Sequence, residues 1–233
     1  KNGHLDIKVS VERDIEGSSA AITFNISEGA AFVFGKTLIL QNEYTKNEVI
    51  LRELVHREKM PLNNELLFQE RRELYRLGLF NDIDIEFSDA YEITQGIFAR
   101  DVIYKVQEAN FGAFEFGAGY GEYERFRGFF DVSYKNLFGM NRQASLRTEV
   151  SSIEQRYILT YNEPWFIFRD TALKALLMHE YRKEQTVDSR ETRYRLRRET
   201  ASVGIEKKIS ENFKAELYYG LSYVKILEIK PDV

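Results

Sequence analysis

The chain has 233 residues and a formal net charge of −4, with 30% charged and 14% aromatic residues. It contains no cysteine, which excludes disulfides and thiolate metal sites, and its slight acidity argues against nucleic acid as the main partner. No apolar run reaches the ~18 residues of a transmembrane helix, and the start of the chain lacks the apolar region of a secretory signal.

Two segments at the start of the chain alternate apolar and polar residues, which is the pattern of half-buried strands. The polar stretch 14–19 between them predicts a hairpin. The alternating apolar residues are Leu5, Ile7, Val9, Val11, Ile22, Phe24 and Ile26.

A strand is predicted next, over residues 32–41, and a helix follows it. Thr45 and Glu48 have the spacing of a capping box, in which each side chain satisfies a free backbone N–H group. Asn63 is predicted to cap a second helix, and Gly78 falls where a left-handed residue ends a helix.

Two further strands complete this part of the chain. Ile83, Ile85 and Phe87 alternate with acidic residues in the first, and the second contains Val102, Tyr104 and Val106. The predicted element order over residues 32–108 is therefore β-α-α-β-β.

From residue 110 onward the sequence keeps a period of two, and seven strands are predicted. Both a soluble antiparallel sheet and an outer-membrane β-barrel produce this alternation. Segments of ~10 residues match a tilted membrane strand better than an ordinary strand of ~5 to 6 residues. The alternating apolar positions of the seven strands begin at Phe114, Phe130, Ala144, Tyr157, Leu173, Ala201 and Ala215.

The stretch "YNEPWFIF", residues 161–168, concentrates aromatic side chains around a proline. Tyr and Trp have an apolar body and a polar tip, and they collect where a membrane meets water. We expect Tyr161, Trp165 and Phe166 to belong to such an interfacial girdle at the end of a membrane strand. A β-sandwich with an aromatic corner is the alternative.

Several stretches resemble one known family. "FVFGKTLILQNEYTKNEVILREL" followed by "RRELYRLGLFNDIDIEF" is similar to a POTRA domain. "FEFGAGYGEYERFRGFFDVSYKNLFGMNRQASL" and "RYILTYNEPWF" resemble the first barrel strands of the BamA/TamA-like outer-membrane assembly factors, the bacterial surface antigen family. The resemblance covers nearly the whole chain and is weakest over residues 184–198.

The resemblance implies three parts. Residues 1–29 would be the final hairpin of a preceding POTRA domain, residues 30–109 an α+β POTRA domain, and residues 110–233 the N-terminal half of an antiparallel transmembrane β-barrel. The family barrel has about sixteen strands, an even number as in other bacterial barrels, so the chain is expected to stop inside it.

Two features depart from the family or only superficially match it. Gln41-Asn42 stands where the family usually has Gly-Asn. Arg127-Gly128-Phe129 superficially resembles the family's arginine-containing loop motif, but it lies at the start of an early strand and is not assigned that role.

The family implies assembly and insertion of β-barrel proteins into the bacterial outer membrane, with the POTRA part in the periplasm. The partners it implies are unfolded outer-membrane proteins, outer-membrane lipids and the accessory lipoproteins of an assembly complex. No cofactor, metal site, nucleic acid or enzymatic step is expected.

Two strands are candidates for binding client segments. Exposed strand edges can pair with extended peptides, and glycines weaken a strand. The candidate residues are Phe114, Phe116, Gly117, Gly119 and Gly121 in the first barrel strand, and Ile83, Ile85 and Phe87 in the POTRA domain. The glycines serve equally well to curve a barrel wall.

Other sites and functions are weaker alternatives. Gly117, Gly119 and Gly121 lack the spacing of a nucleotide loop, and His4, His56 and His179 lack that of a metal site. A related two-partner-type secretion transporter and a soluble β-rich binding protein remain alternative functions.

Overall fold

A computed structural model of the chain describes residues 3, 8–16, 19–168, 171–186, 192–210 and 212–229. The chain divides into two compact units, Lys1–Ala109 and Asn110–Val233, and the division falls where the sequence adopts a period of two. Most of the described residues are in β-strands. In the described part of the chain, no helix is long and apolar enough to cross a membrane.

The first unit opens with an antiparallel hairpin of β1 (Lys8–Glu16) and β2 (Ser19–Ser27). The strands continue through residues 14–16, so the predicted polar link 14–19 is too long. Val9 faces Ile26 and Val11 faces Phe24 across the hairpin, and all four side chains are exposed. The predicted strand positions Leu5 and Ile7 lie outside the described residues.

A second sheet of four strands forms the main part of the first unit. Its order is β3-β6-β4, with the short β5 pairing with β6; β3 runs parallel to β6, and β4 and β5 run antiparallel to it. The predicted β-α-α-β-β order is present, with β5 as an additional strand. The elements are β3 (Ala31–Leu40), α1 (Asn47–Leu51), α2 (Asn64–Arg76), β4 (Phe80–Phe87), β5 (Tyr91–Thr94) and β6 (Ile97–Glu108).

The ends of helix α2 follow the sequence. The Asn63 side chain accepts a hydrogen bond from Glu65 N at 3.0 Å, and Gly78 has a φ of 65° just after the helix. Both features satisfy backbone groups that have no partner inside the helix.

The predicted capping box of helix α1 is wrong. Lys46 occupies the N-cap position and makes no side-chain capping bond, and Thr45 is buried. The carboxylate of Glu108, at the end of β6, accepts hydrogen bonds from Tyr44 N at 3.0 Å and Thr45 N at 2.6 Å. A distant acid therefore holds the chain that leads into α1.

The core of this unit contains a buried polar network centred on Glu70 of α2. One carboxylate oxygen accepts hydrogen bonds from the backbone N–H groups of Val55 and His56 at 2.6 Å each. The other accepts from His56 Nδ1 at 2.8 Å and from Tyr104 Oη at 2.6 Å. His56 Nε2 lies 2.8 Å from Thr37 Oγ1.

This network ties helix α2 to the sheet and to the segment after α1. Burial raises the pKa of Glu70, but hydrogen bonds from His56 and Tyr104 outweigh it and leave that pKa below its usual value. Burial and the bond to Glu70 raise the pKa of Tyr104. His56 is itself buried.

The second unit is one antiparallel sheet of seven strands in sequence order, as the period of two predicted. Each strand pairs with the next one along the chain. The strands are β7 (Gly112–Gly121), β8 (Arg125–Leu137), β9 (Arg142–Ser151), β10 (Glu154–Glu163), β11 (Thr171–Gln185), β12 (Thr192–Ser210) and β13 (Phe213–Ile229).

Candidate functional site

Strand β7 lies at one edge of the seven-stranded sheet. It pairs with β8 from Gly112 opposite Tyr134 to Gly121 opposite Arg125, and within the described residues it has no other strand neighbour. One row of backbone N–H and C=O groups on β7 is therefore free of sheet pairing, which is the arrangement that accepts an added strand.

The predicted site residues of β7 divide between the two faces of the sheet. Phe114 and Phe116 lie on one face and are 70% and 76% exposed. Gly117, Gly119 and Gly121 lie on the other face, because successive side chains of a strand point in opposite directions.

The three glycines have different surroundings. A Cβ atom on Gly117 would come within 2.5 Å of the Phe129 ring on β8, whereas one on Gly119 would lie 3.5 Å from Arg127 Nε and one on Gly121 would meet open space. Gly117 is thus required by packing. Gly119 and Gly121 have room for a side chain.

The second predicted site, on β4, is also at a sheet edge. The side chain of Ile83 is fully buried, however, and its backbone N–H donates to Tyr75 Oη at 3.1 Å. Ile85 and Phe87 are half-buried. The side chains of Ile85 and Phe87 are thus partly accessible on this strand, whereas that of Ile83 is not.

The aromatic turn 161–168 has its own internal bonds. Tyr161 Oη donates to Glu163 at 3.0 Å, and Arg142 Nε binds the same carboxylate at 2.9 Å. Trp165 and Phe166 are half-buried. The most exposed apolar side chains of the turn are two that the sequence analysis did not select, Ile167 and Phe168.

One row of residues crosses all seven strands on the face that carries Phe114. Each residue lies directly opposite the next in the ladder, and every member is apolar. The apolar row is Phe114, Val132, Leu146, Leu159, Leu177, Ala201 and Leu221. A continuous exposed apolar surface of this extent is unusual for a protein surrounded by water.

The opposite face carries a charged row of Glu149, Arg156, Glu180 and Arg198, which are also direct ladder partners. Arg156 lies 3.1 Å from Glu149 and 3.5 Å from Glu180, and Arg198 lies 3.1 Å from Glu180. Glu180 is almost completely buried beneath the two guanidinium groups. The sequence shows charges at these positions but not that they alternate in sign across strands.

The apolar surface crosses the ladder obliquely. In the ladder row that contains Phe130, the residue on the apolar face is aromatic on β8 but is the charged Glu199 on β12. Another row changes in the opposite sense: it is charged at Glu163 on β10 and apolar at Ile205 on β12. An apolar band that shifts along successive strands is typical of the tilted, staggered strands of a barrel.

Comparison with known proteins agrees with these features. Residues 136–233 match the Omp85 superfamily domain. These residues belong to the second unit and include its strands from β9 onward. The resemblance to BamA-like assembly factors that the sequence motifs indicated is thereby confirmed.

The curated relatives of this chain include outer membrane protein assembly factors. The chain is 25% identical to BamA of Buchnera aphidicola subsp. Acyrthosiphon pisum over 178 residues, 74% of this chain and 28% of the relative. It is 24% identical to BamA of Neisseria meningitidis serogroup B over 163 residues, 70% of this chain and 20% of the relative. The predicted outer-membrane location agrees with the names of these relatives, of which the chain spans less than a third.

The fold of this chain is similar to that of two solved structures. BamA from Haemophilus ducreyi lacking POTRA domains 1–3 superposes with a TM-score of 0.79 at 21% identity, over 97% of this chain and 42% of that structure. CdiB from Acinetobacter baumannii superposes with a TM-score of 0.56 at 17% identity, over 98% of this chain and 44% of that structure.

Proposed function

We propose that this chain is part of a protein that assembles and inserts β-barrel proteins into the bacterial outer membrane. The Omp85 domain spans the membrane, and the first unit is periplasmic, with residues 30–109 as a POTRA domain after the hairpin of a preceding one. The clients are unfolded outer-membrane proteins, and accessory lipoproteins of an assembly complex are expected partners. Pairing of strands performs the work, so no chemical step is required.

The two faces of the Omp85 sheet support placement in a membrane. The apolar row would face lipid and the charged row a wet lumen, where alternating Glu and Arg side chains neutralise one another. A soluble β-rich binding protein, the alternative from another class, would have to cover the apolar row with another layer.

The observation that carries the proposed function is the position of the glycine-containing β7 as the first strand of the seven-stranded sheet, where its outer backbone edge would meet either the last strand of a closed barrel or a client strand. A client strand can form backbone hydrogen bonds there, and Phe114 and Phe116 would extend the apolar row onto the client. Glycines at positions 119 and 121 lower the cost of local opening, by ~0.5–1 kcal/mol each relative to Ala. The strand therefore combines a position at the seam of the barrel with weak internal stability.

The edge of β4 is proposed as an earlier binding point in the periplasm. Ile85 and Phe87 present their half-buried side chains there, and the neighbouring acid Glu86 is held by Lys105 Nζ at 2.5 Å. Because Ile83 is buried, its role is confined to the core of the domain.

The aromatic turn is proposed to lie at the periplasmic membrane interface, since it connects β10 to β11 at the end of the sheet where the chain enters β7. Tyr161, Trp165 and Phe166 would contact outer-membrane lipids there. Ile167 and Phe168 are more exposed and extend the same contact.

A two-partner-type secretion transporter of the same superfamily is the second candidate, because the chain also shares the fold of CdiB. A transporter would carry its passenger through the lumen, past the charged row, whereas an insertase would use the β7 edge. The position at which a client or passenger contacts the chain thus separates the two functions.

Disulfide capture tests the proposed site, and these 233 residues contribute no native cysteine to the background. In the full-length protein, a Glu115→Cys variant in β7 should cross-link to single cysteines in the terminal strand of a stalled client. Because strand pairing has a period of two, yields should alternate with client position.

A Thr160→Cys variant provides the control, because β10 is paired with β9 and β11 on both sides. Equal cross-linking at Thr160 and Glu115, or none at β7, would refute insertion through this edge. If a cysteine placed at Arg156 or at its neighbours on the lumen face captures the client or passenger and one in β7 does not, the transporter is favoured.

A further inference from the structure

We propose that the outer face of strands β10–β13 holds a phosphorylated glycolipid of the outer leaflet. Its acyl part would occupy an apolar cavity, and its sugar and phosphate groups a polar cavity next to it. The inference rests on the proposed membrane location of the Omp85 domain, and it concerns a surface far from the β7 edge.

The apolar cavity has a volume of about 630 Å³ and follows the apolar row. Ala201 lies on its floor between Leu177 and Leu221, its direct ladder partners on either side. The small side chain leaves a depression between two leucines, while Leu146 and Leu159 line the wall. An acyl chain fits such a groove by shape and by apolar contact.

Polar side chains line one end of the apolar cavity. Tyr157, His179, Glu199 and Tyr223 line it there, and His179 Nδ1 lies 3.6 Å from a carboxylate oxygen of Glu199. An ionisable pair on a lipid-facing surface is costly unless it has a polar partner. Two phenols, an imidazole and a carboxylate offer the donors and acceptors that sugar hydroxyls require.

A second cavity of about 240 Å³ continues along the same face. Gln155 and Tyr181 line it, each two residues beyond Tyr157 and His179 on the same strand and therefore on the same side of the sheet. Lys183 and Arg195 also line it, together with residues 151–153 and Glu154, whose carboxylate is paired with Arg156. Apolar and polar cavities are thus stacked along β10, β11 and β12.

Positive charge is in excess around the polar cavity. Arg195 binds Glu228 at 3.0 Å and Arg197 binds Glu199 at 2.6 Å. Lys183 adds a further cation there, and its amine contacts only a backbone carbonyl, that of Ser152, at 3.4 Å in the described part of the chain.

A further cation lies across the ladder. Lys225 pairs directly with Arg197 and, within the residues that the structure describes, forms no ion pair. The buried Nε of Arg195 has no hydrogen-bond partner among those residues. Unneutralised cations and an orphaned donor are suited to phosphate oxygens.

The position of these cations along the strands indicates which lipid would bind. These cations lie toward the β11–β12 connection, at the end of the sheet opposite to Gly112, where the chain enters β7. With the first unit in the periplasm, that end reaches the outer leaflet. A phosphorylated glycolipid is the anionic lipid whose sugars and phosphates match the phenols, imidazole and cations at the polar end of the site.

Native mass spectrometry of the full-length protein in detergent, titrated with lipid A or with phosphatidylglycerol, tests the site. Lipid A should be retained in preference to phosphatidylglycerol. Arg195→Ala and Lys225→Ala should each weaken lipid A binding about fivefold, because a cation near a lipid surface contributes on that scale. Ala201→Phe should fill the groove and abolish the preference.

Ala144→Phe is the matched control, because Ala144 is on the same face but outside both cavities. The proposal is overturned if both lipids bind equally, or if Ala201→Phe and Ala144→Phe behave alike. Client insertion measured on the same samples keeps the two ideas apart. Loss of lipid preference with normal insertion refutes only the lipid site, and retained preference without insertion refutes only the proposed function.

Discussion

The ring of Phe129 lies directly over Gly117 on the neighbouring strand, where a Cβ atom would be 2.5 Å from the ring. The guanidinium of Arg147 lies 4.9 Å from the centroid of the same ring. The ring therefore packs against the bare backbone of Gly117, and this contact fixes the register of β7 against β8. Gly117 thus has a packing role that Gly119 and Gly121, which have room for a side chain, do not share.

Valine substitutions should distinguish Gly117 from Gly119. Gly117→Val should weaken the β7–β8 pairing by about 1–3 kcal/mol through overpacking, rather than strengthen it as the glycine pattern alone implies. Gly119→Val, which has room, should stabilise the pairing by ~0.5–1 kcal/mol and slow client insertion. Hydrogen exchange of β7 amides and an insertion assay measure both effects. Unchanged insertion in Gly119→Val would show that this glycine serves curvature alone.

The two faces of the seven-stranded sheet should be distinguishable in a bilayer. Spin labels at Leu146 and Leu221, in the apolar row, should respond strongly to lipid-soluble oxygen. Labels at Arg147 and Glu149, on the opposite face, should respond to a water-soluble relaxation agent instead. The reverse pattern would mean that the sheet is inside out, and the soluble alternative would gain support.

Glu70 should make the stability of the first unit depend on pH. Its pKa is lowered in the folded state from an ordinary value of 4.5. The stabilisation is therefore present above that value and is lost as the pH falls through and below it. Urea unfolding of residues 30–109 at about pH 7 and about pH 4 should show this loss.

Glu70→Gln should destabilise the same fragment by ~3 kcal/mol near neutral pH, since it disrupts a buried ionic network. It should also flatten the pH dependence. Glu73→Gln, on the exposed side of the same helix, is the control and should leave both properties nearly unchanged. Equal pH dependence in the wild-type and Glu70→Gln fragments would contradict this role.

Gln41 occupies a backbone position suited to glycine, with a φ of 68° directly after β3. A left-handed conformation costs a residue with a Cβ atom roughly 1–2 kcal/mol. Gln41→Gly should therefore raise the free energy of unfolding of the first unit by about 0.5–1 kcal/mol, part of the gain being offset by entropy of the unfolded chain. Gln41→Ala keeps the strain and should change stability little.

The local pattern of the sequence determined the elements and their faces. Alternation predicted seven strands after residue 110 and placed Leu146 and Arg147 on opposite sides, because a strand directs successive side chains to opposite faces. Asn63 and Gly78 marked the ends of α2, because capping depends on residues within one turn of the helix.

Only the tertiary structure decided which residues meet across strands and elements. The backbone N–H of Thr45 binds the distant Glu108, where the sequence predicted a capping box with Glu48. His56 is bound in the core by the carboxylate of Glu70 in α2. The charged row likewise depends on ladder register, and Phe129 alone explains why residue 117 is a glycine. These partners are distant in sequence, so their pairing is set by the folded chain and not by local periodicity.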